Sequence, residues 1–100
     1  MALEIAKSAE GTSLTLTLTG RLDTVTSKEF DAEFEAAAPG MKDVTLDFVG
    51  LEYISSAGLR VLLAAQKEMN KRGVMKLTHV NETIMEIFEV TGFSDILTIE

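Results

Sequence analysis

The chain has 100 residues, of which 46 % are hydrophobic and only one is proline, and it carries a net charge of −7. This composition predicts a single packed domain over residues 1–100 and argues against a disordered chain, which would be poorer in apolar residues. The acidic balance argues against a nucleic-acid partner, since phosphate contacts need a basic face.

Localisation signals are absent from the sequence pattern. No stretch approaches the roughly 18 apolar residues that a membrane-spanning helix requires, residues 1–7 lack the basic and apolar segments of a signal peptide, and there is no cysteine. We therefore expect no membrane span and a cytoplasmic location.

Two strands are predicted at the start of the chain. Residues 3–6 alternate between apolar and other side chains, and residues 13–19 alternate strictly between leucine and a hydroxyl residue. Such alternation is typical of half-buried strands. The connection Ser8 to Thr12 contains Gly11, which predicts a hairpin loop somewhat longer than the two-residue type.

The first helix is predicted from its capping signals. Thr26 and Glu29 have the spacing of a capping box with Thr26 as N-cap, while Val25 and Phe30 are placed to form a hydrophobic staple. Pro39-Gly40 is expected to stop the helix.

A third strand and the longest helix follow. Residues 44–49 are partly apolar on both faces, which favours a central strand, and Gly50 is expected to break it. The second helix is predicted from about Ser56 to Arg72, closing at Gly73. Its helical spacing is carried by Leu59, Leu62, Leu63, Gln66 and Met69.

The remaining elements complete an α/β pattern. Val74 to Thr78 predicts a fourth strand, Asn81 is expected to cap a third helix that ends at Gly92, and Ile96 to Ile99 is a strand or a helical turn. The order β-β-α-β-α-β-α predicts a mixed α/β fold in which helical crossovers make the later strands parallel.

Two adjacent serines lie at the start of the second helix. With Ser55 as N-cap, its hydroxyl accepts a hydrogen bond from a first-turn N–H, and Ser56 occupies the first helical position with its hydroxyl free. Ala57 and Gly58 add little bulk beside it. The pattern leaves two interpretations open, a helix cap alone or a phosphate acceptor.

Enzyme motifs are missing. Ser56 lacks the nucleophile elbow because Ile54 stands where its first glycine belongs. His79 is the only imidazole, and Asp23 and Asp47 are interpreted as strand-end or surface carboxylates. No phosphate-binding loop or metal-ligand spacing occurs. We therefore expect no catalytic residue, no metal and no cofactor.

The charged residues are distributed unevenly. Between Arg60 and Lys76 there are five basic residues and one acid, whereas between Asp23 and Glu35 there are five acids and one lysine. A basic helix face and an acidic one are suited to a protein partner with its own charge pattern.

The segment Leu46 to Leu59 resembles the STAS domains, specifically the bacterial anti-sigma factor antagonists. Gly20-Arg21-Leu22-Asp23 and Thr91-Gly92-Phe93 are similar to other motifs of that family, in the same order. The resemblance implies a STAS-type mixed sheet of four to five strands with the helices packed mainly on one face.

The resemblance also implies a function. In such proteins the unmodified antagonist binds an anti-sigma factor that is also a serine kinase, which frees the sigma factor. The kinase phosphorylates the antagonist and a metal-dependent phosphatase of the PP2C type reverses this. The implied antagonist is a monomer or a weak dimer.

The family motif Asp-Ser-Ser/Thr-Gly implies that the phosphate lies on Ser56. Ser55 stands where the family usually has Asp, which makes Ser55 the second choice. The implied partner-binding residues are Asp23, Thr24, Ser55, Ser56, Ala57, Gly58 and Arg60.

Two other functions fit the same sequence. A STAS domain can also be a non-phosphorylated assembly or lipid-transport accessory module, with the serines as a contact patch. A nucleotide-binding or hydrolytic domain is the third class.

Overall fold

The computed structural model describes residues 3–100. Its strands are β1 (Leu3–Glu10), β2 (Ser13–Leu22), β3 (Asp43–Ile54) and β4 (Val74–Thr78), and its helices are α1 (Thr26–Ala37), α2 (Ser56–Asn70) and α3 (Glu82–Thr91). A short 3₁₀ turn, Phe93–Asp95, follows α3. The predicted order β-β-α-β-α-β-α is confirmed.

The four strands form one mixed sheet in the order β1-β2-β3-β4. β1 and β2 pair antiparallel, whereas β2 with β3 and β3 with β4 pair parallel. The helical connections α1 and α2 account for these parallel pairs, because parallel neighbours need a long crossover. β3 lies inside the sheet, as predicted.

One face of the sheet carries the core. The buried strand side chains include Leu14, Leu16, Leu18, Val44, Leu46, Phe48, Met75 and Leu77. They alternate with half-buried polar residues such as Thr15, Thr45 and Lys76. Because alternate residues of a strand point to opposite faces, the helices cover the leucine-rich face and leave the threonine-rich face open. This is the predicted STAS-type arrangement.

The β1–β2 hairpin is tighter than the sequence predicted. β1 extends to Glu10 and pairs with Ser13, so the loop is only Gly11 and Thr12. Gly11 has φ +62°, which the turn requires and which glycine adopts without steric cost. The prediction was wrong because residues 6–10 are exposed and show no apolar alternation.

Gly50 does not break β3. The strand continues to Ile54, and its register with β2 shifts between Thr17 and Thr19 and again between Gly20 and Arg21. A Cβ at Gly50 would lie 2.7 Å from Thr19 Oγ1. The glycine therefore allows two strands to approach at an irregular register and does not mark a turn.

The start of α1 also differs from the prediction. The residue before the helix is Val25, which has no side-chain cap and is 68 % exposed, so neither the capping box at Thr26 nor the staple with Phe30 forms. Asp23 supplies the cap instead, because its Oδ1 accepts hydrogen bonds from the N–H groups of Val25 and Thr26, each at 3.0 Å.

The ends of the other helices follow the sequence more closely. α2 stops at Asn70, two residues before the predicted end, and the N–H of Gly73 donates to Met69 O across 2.7 Å. Asn81 caps α3 through its side chain, and Gly92 ends it with φ +81°, both as predicted.

The C-terminal run packs on the edge of β4. Leu97 is buried, and Ile99 forms a single parallel bridge with Leu77. The sheet thus has four full strands and no complete fifth one among residues 3–100.

Candidate functional site

The two serines lie at the edge of the sheet where β2 and β3 end. Because these strands are parallel, their carboxyl ends meet, and the N–H of Ser55 donates to Leu22 O across 2.9 Å. This bond fixes the start of α2 against the loop that follows β2.

Ser55 is the N-cap of α2, as predicted. Its backbone is extended, its Oγ accepts a hydrogen bond from Gly58 N at 3.3 Å, and its carbonyl oxygen accepts from Leu59 N at 2.9 Å. Its hydroxyl is therefore engaged in holding the first turn. Ser55 is half-buried.

Ser56 is the first residue of α2 and is exposed. The first turn of α2 contains no acidic residue. The side-chain hydrogen bonds found within residues 3–100 do not include the Ser56 hydroxyl. This alcohol is therefore accessible and lies at the positive end of the helix dipole.

Gly58 lies beneath the site and allows the first turn of α2 to pack closely on the strand ends. It is buried, and a Cβ there would collide with Ile54 and with the carbonyl oxygen of Leu22. Ala57 beside it is half-buried. The glycine thus lets α2 start directly on the sheet, and the surface at this point is formed by Ser56.

The loop after β2 provides the second wall of the site. Asp23 accepts two backbone hydrogen bonds, and the Thr26 N–H is the largest influence that lowers the pKa of this carboxyl below its ordinary value. The Thr26 hydroxyl adds to this effect at 3.1 Å. Asp23 is thus an anchored carboxylate, and Thr24 beside it is exposed.

Two further residues at this edge were not singled out from the sequence. The guanidinium carbon of Arg21 lies 4.8 Å from the centre of the Tyr53 ring, and Arg21 Nε is 3.9 Å from Asp23 Oδ2. Tyr53 is 39 % exposed. The stacking arises because Arg21 and Tyr53 pair across β2 and β3, a register that sequence alone does not give.

Arg60 lies one helical turn beyond Ser56 and is exposed. The ion pairs within residues 3–100 do not include it. The other two predicted partner residues, Asp23 and Thr24, lie in the loop after β2.

The remaining chemical candidates have other partners. Asp47 Oδ1 contacts His79 Nδ1 at 2.9 Å and Val49 N at 3.0 Å, so it forms no pair with Asp23. Across residues 3–100, no three histidine or acidic side chains cluster to hold a metal ion. None of the helices in that range is long and apolar enough to cross a membrane.

Comparison with known proteins identifies the family. A family model described as Mlab, STAS domain, matches residues 5–98. BtrV of Bordetella bronchiseptica, which is assigned as an anti-sigma factor antagonist, is 34 % identical over 84 residues, covering 82 % of this chain and 72 % of BtrV.

Solved structures share the fold. An anti-sigma factor antagonist from Mycobacterium paratuberculosis superimposes with a TM-score of 0.88 at 16 % identity, over 98 % of this chain and 85 % of its own. The Bacillus cell fate determinant SpoIIAA in its phosphorylated form superimposes with a TM-score of 0.74 at 18 % identity, over 99 % of this chain and 91 % of its own. With this fold, the matching family model and the relative BtrV, the chain belongs to the STAS domain family of anti-sigma factor antagonists.

Proposed function

We propose that this protein binds an anti-sigma factor with serine kinase activity while Ser56 is unmodified, and that phosphorylation of Ser56 ends this binding. The observation that carries the proposal is that the two serine hydroxyls differ in their contacts. Ser55 uses its hydroxyl to cap α2, whereas Ser56 presents an exposed one. The role is regulatory, and the chain acts as substrate of the kinase in the cytoplasm.

The proposed modification is a phosphoryl transfer. The Ser56 Oγ attacks the γ-phosphorus of ATP held by the kinase, the Oγ–P bond forms as the bond to ADP breaks, and the hydroxyl proton passes to a base of the kinase. A PP2C-type phosphatase hydrolyses the ester and restores the alcohol. The phosphorylated SpoIIAA structure supports the proposal, since it shows that this fold can carry a phosphate.

The modified residue acts at the interface and not through unfolding. A phosphate adds about −1.5 to −2 charge at neutral pH. The start of a helix tolerates such a charge, so the fold is retained. A partner surface that fits a neutral hydroxyl must instead desolvate a dianion, and burying an unpaired charge costs several kcal/mol. Each 1.4 kcal/mol is a tenfold loss of affinity.

The docking surface is proposed to extend from α2 to the loop after β2. It contains the predicted residues Asp23, Thr24, Ser55, Ser56, Ala57 and Arg60, with Gly58 beneath them. The stacked pair of Arg21 and Tyr53 and the exposed Val25 border this edge and extend the surface. An aromatic ring and an arginine are typical anchors of protein interfaces.

The test uses the cognate anti-sigma factor, identified as the kinase-like protein that co-purifies with this chain. Its affinity is measured by calorimetry for the wild type and for Ser56→Ala, Ser56→Asp and Ser55→Ala. Ser56→Ala is expected to bind as the wild type does, and Ser56→Asp at least tenfold more weakly. Equal tight binding by both Ser56 variants contradicts the proposal.

A second measurement locates the phosphate. The chain is incubated with the kinase and ATP and analysed by mass spectrometry, with Ser56→Ala as the matched control. Phosphate on Ser56 that is lost in the control supports the proposal. Phosphate on Ser55 instead contradicts Ser56 as the acceptor and assigns the modification to the second-choice serine. No modification at all favours the alternative of an assembly or lipid-transport accessory module whose serine surface stays unmodified; Ser55 in place of the family's carboxylate is the observation behind that alternative.

A further inference from the structure

Arg60 is an exposed cation in the first half of α2. On a helix, a side chain contacts those three and four positions away, which for Arg60 are Ser56, Ala57, Leu63 and Ala64. None of these is acidic, and none of the ion pairs within residues 3–100 includes Arg60. Ser56 is the one neighbour on this helix that phosphorylation can make anionic.

Three other cations of this region contact an acidic or aromatic side chain. Arg21 is held between the Tyr53 ring and Asp23. Just beyond the end of α2, Arg72 and Lys71 both contact Glu68, at 3.4 and 4.0 Å. Arg60 is therefore the cation on the phosphorylatable turn that is free to take a new partner.

The geometry of α2 suits such a contact. Ser56 and Arg60 are both exposed and four residues apart, so their Cβ atoms are about 5–6 Å from each other on one helix face. Helical side chains lean toward the N-terminus, which brings a long Arg60 side chain back over Ser56. An acid placed four residues before a base is also the more stabilising orientation of such a pair.

We propose that Arg60 forms an intramolecular ion pair with the phosphate of phosphorylated Ser56. This inference rests on the proposed phosphorylation of Ser56 and adds a second effect to it. Besides placing a dianion on the docking surface, modification withdraws the Arg60 guanidinium from the partner. Arginine suits this role because its planar N–H donors can bind two phosphate oxygens at once.

The experiment measures the phosphate directly. Phosphoserine is installed at position 56 of the full chain during translation, and its second pKa, ordinarily about 6, is followed by phosphorus NMR. Removing the cation by Arg60→Gln is expected to raise this pKa by about 0.2–0.4, from an ion pair of helical spacing. In Arg60→Lys, the phosphate pKa is expected to lie between the values of the wild type and of Arg60→Gln.

Two matched controls make the test specific. Lys67→Gln removes one positive charge from an exposed position three turns along the same helix and is expected to leave the phosphate pKa at its wild-type value. Arg21→Gln tests the other arginine at this edge. A shift in Arg60→Gln no larger than in Lys67→Gln, or a larger shift in Arg21→Gln, overturns the inference.

The result is independent of the partner. Since the phosphate is introduced without a kinase, the NMR titration decides only whether Arg60 holds it. The affinity of the anti-sigma factor for the Ser56 variants decides the proposed function separately.

Discussion

The backbone of Gly58 lies directly against the carbonyl oxygen of Leu22, at a spacing that leaves no room for a side chain. An ideal Cβ at position 58 would be 2.7 Å from this oxygen and 2.7 Å from Ile54 Cγ1. The start of α2, and with it Ser56, is thereby seated on the ends of β2 and β3.

Replacing this glycine is expected to destabilise the protein. In Gly58→Ala, the clash with Leu22 O forces a backbone shift that costs about 1–3 kcal/mol, of which the better helix propensity of alanine offsets about 1 kcal/mol. Urea unfolding measures the difference. Ser56→Ala, two residues earlier and exposed, is the control and should stay within about 0.5 kcal/mol of the wild type. A stabilised Gly58→Ala protein would show that α2 can move off the sheet freely.

The N-cap role of Ser55 predicts how two substitutions at this position change the stability of the protein. Ser55→Ala removes the acceptor for Gly58 N and is expected to lower the free energy of unfolding by about 0.5–1 kcal/mol. Ser55→Asp keeps an acceptor and adds a negative charge at the helix start, so it should match or exceed wild-type stability. Thermal unfolding of both variants checks this, and equal losses in the two would refute the cap.

Thr26 anchors the loop that borders Ser56. It is fully buried, accepts the Asp23 N–H at 2.8 Å and donates to Arg21 O at 2.8 Å. Thr26→Val keeps the shape but leaves these two backbone groups without that partner, which is expected to cost about 1–3 kcal/mol. Thr26→Ser, which retains the hydroxyl, should lose less in the same urea measurement. The opposite ranking would mean that methyl packing dominates at this position.

Gln66 offers a stabilising change. It is 3 % exposed, its Nε2 donates to Asn70 Oδ1 at 2.9 Å, and its Oε1 is buried with no hydrogen-bond partner among residues 3–100. Gln66→Met has similar length and removes the unsatisfied acceptor, so stability should rise by about 1 kcal/mol. Gln66→Glu puts a charge in the same place and should destabilise. A loss of stability in the Met variant would indicate that the amide is better satisfied than its contacts show.

The lowered pKa of the Asp23 carboxyl predicts that the protein loses stability at acidic pH. Its folded pKa is lowered from 3.8, chiefly by the Thr26 N–H. A lowered carboxyl pKa stabilises the fold fully above the unfolded value, and this contribution disappears as the pH falls through the folded value. In Asp23→Asn, the unfolding midpoint should therefore depend less on pH below about 4. Parallel curves for both proteins in this range would argue against the anchored carboxylate.

The sequence predicted best where the signal is local. The caps at Ser55 and Asn81 were correct because a cap depends on residues within one helical turn. The capping box at Thr26 failed because its hydroxyl is bound to Arg21 O, a contact that the path of the loop decides. The prediction that Gly50 breaks β3 was wrong because a glycine that permits close strand approach has the same sequence pattern as one that breaks a strand.

The amino-acid sequence by itself determined the order of the elements, the buried face of β2, β3 and β4 and the position of Ser56 at the start of α2, since all three depend on the spacing of neighbouring residues. The tertiary structure alone decided what surrounds Ser56. The stacking of Arg21 on Tyr53 and the seating of Gly58 on Leu22 join residues more than thirty positions apart. Such contacts follow from strand register and helix packing, which local patterns do not encode.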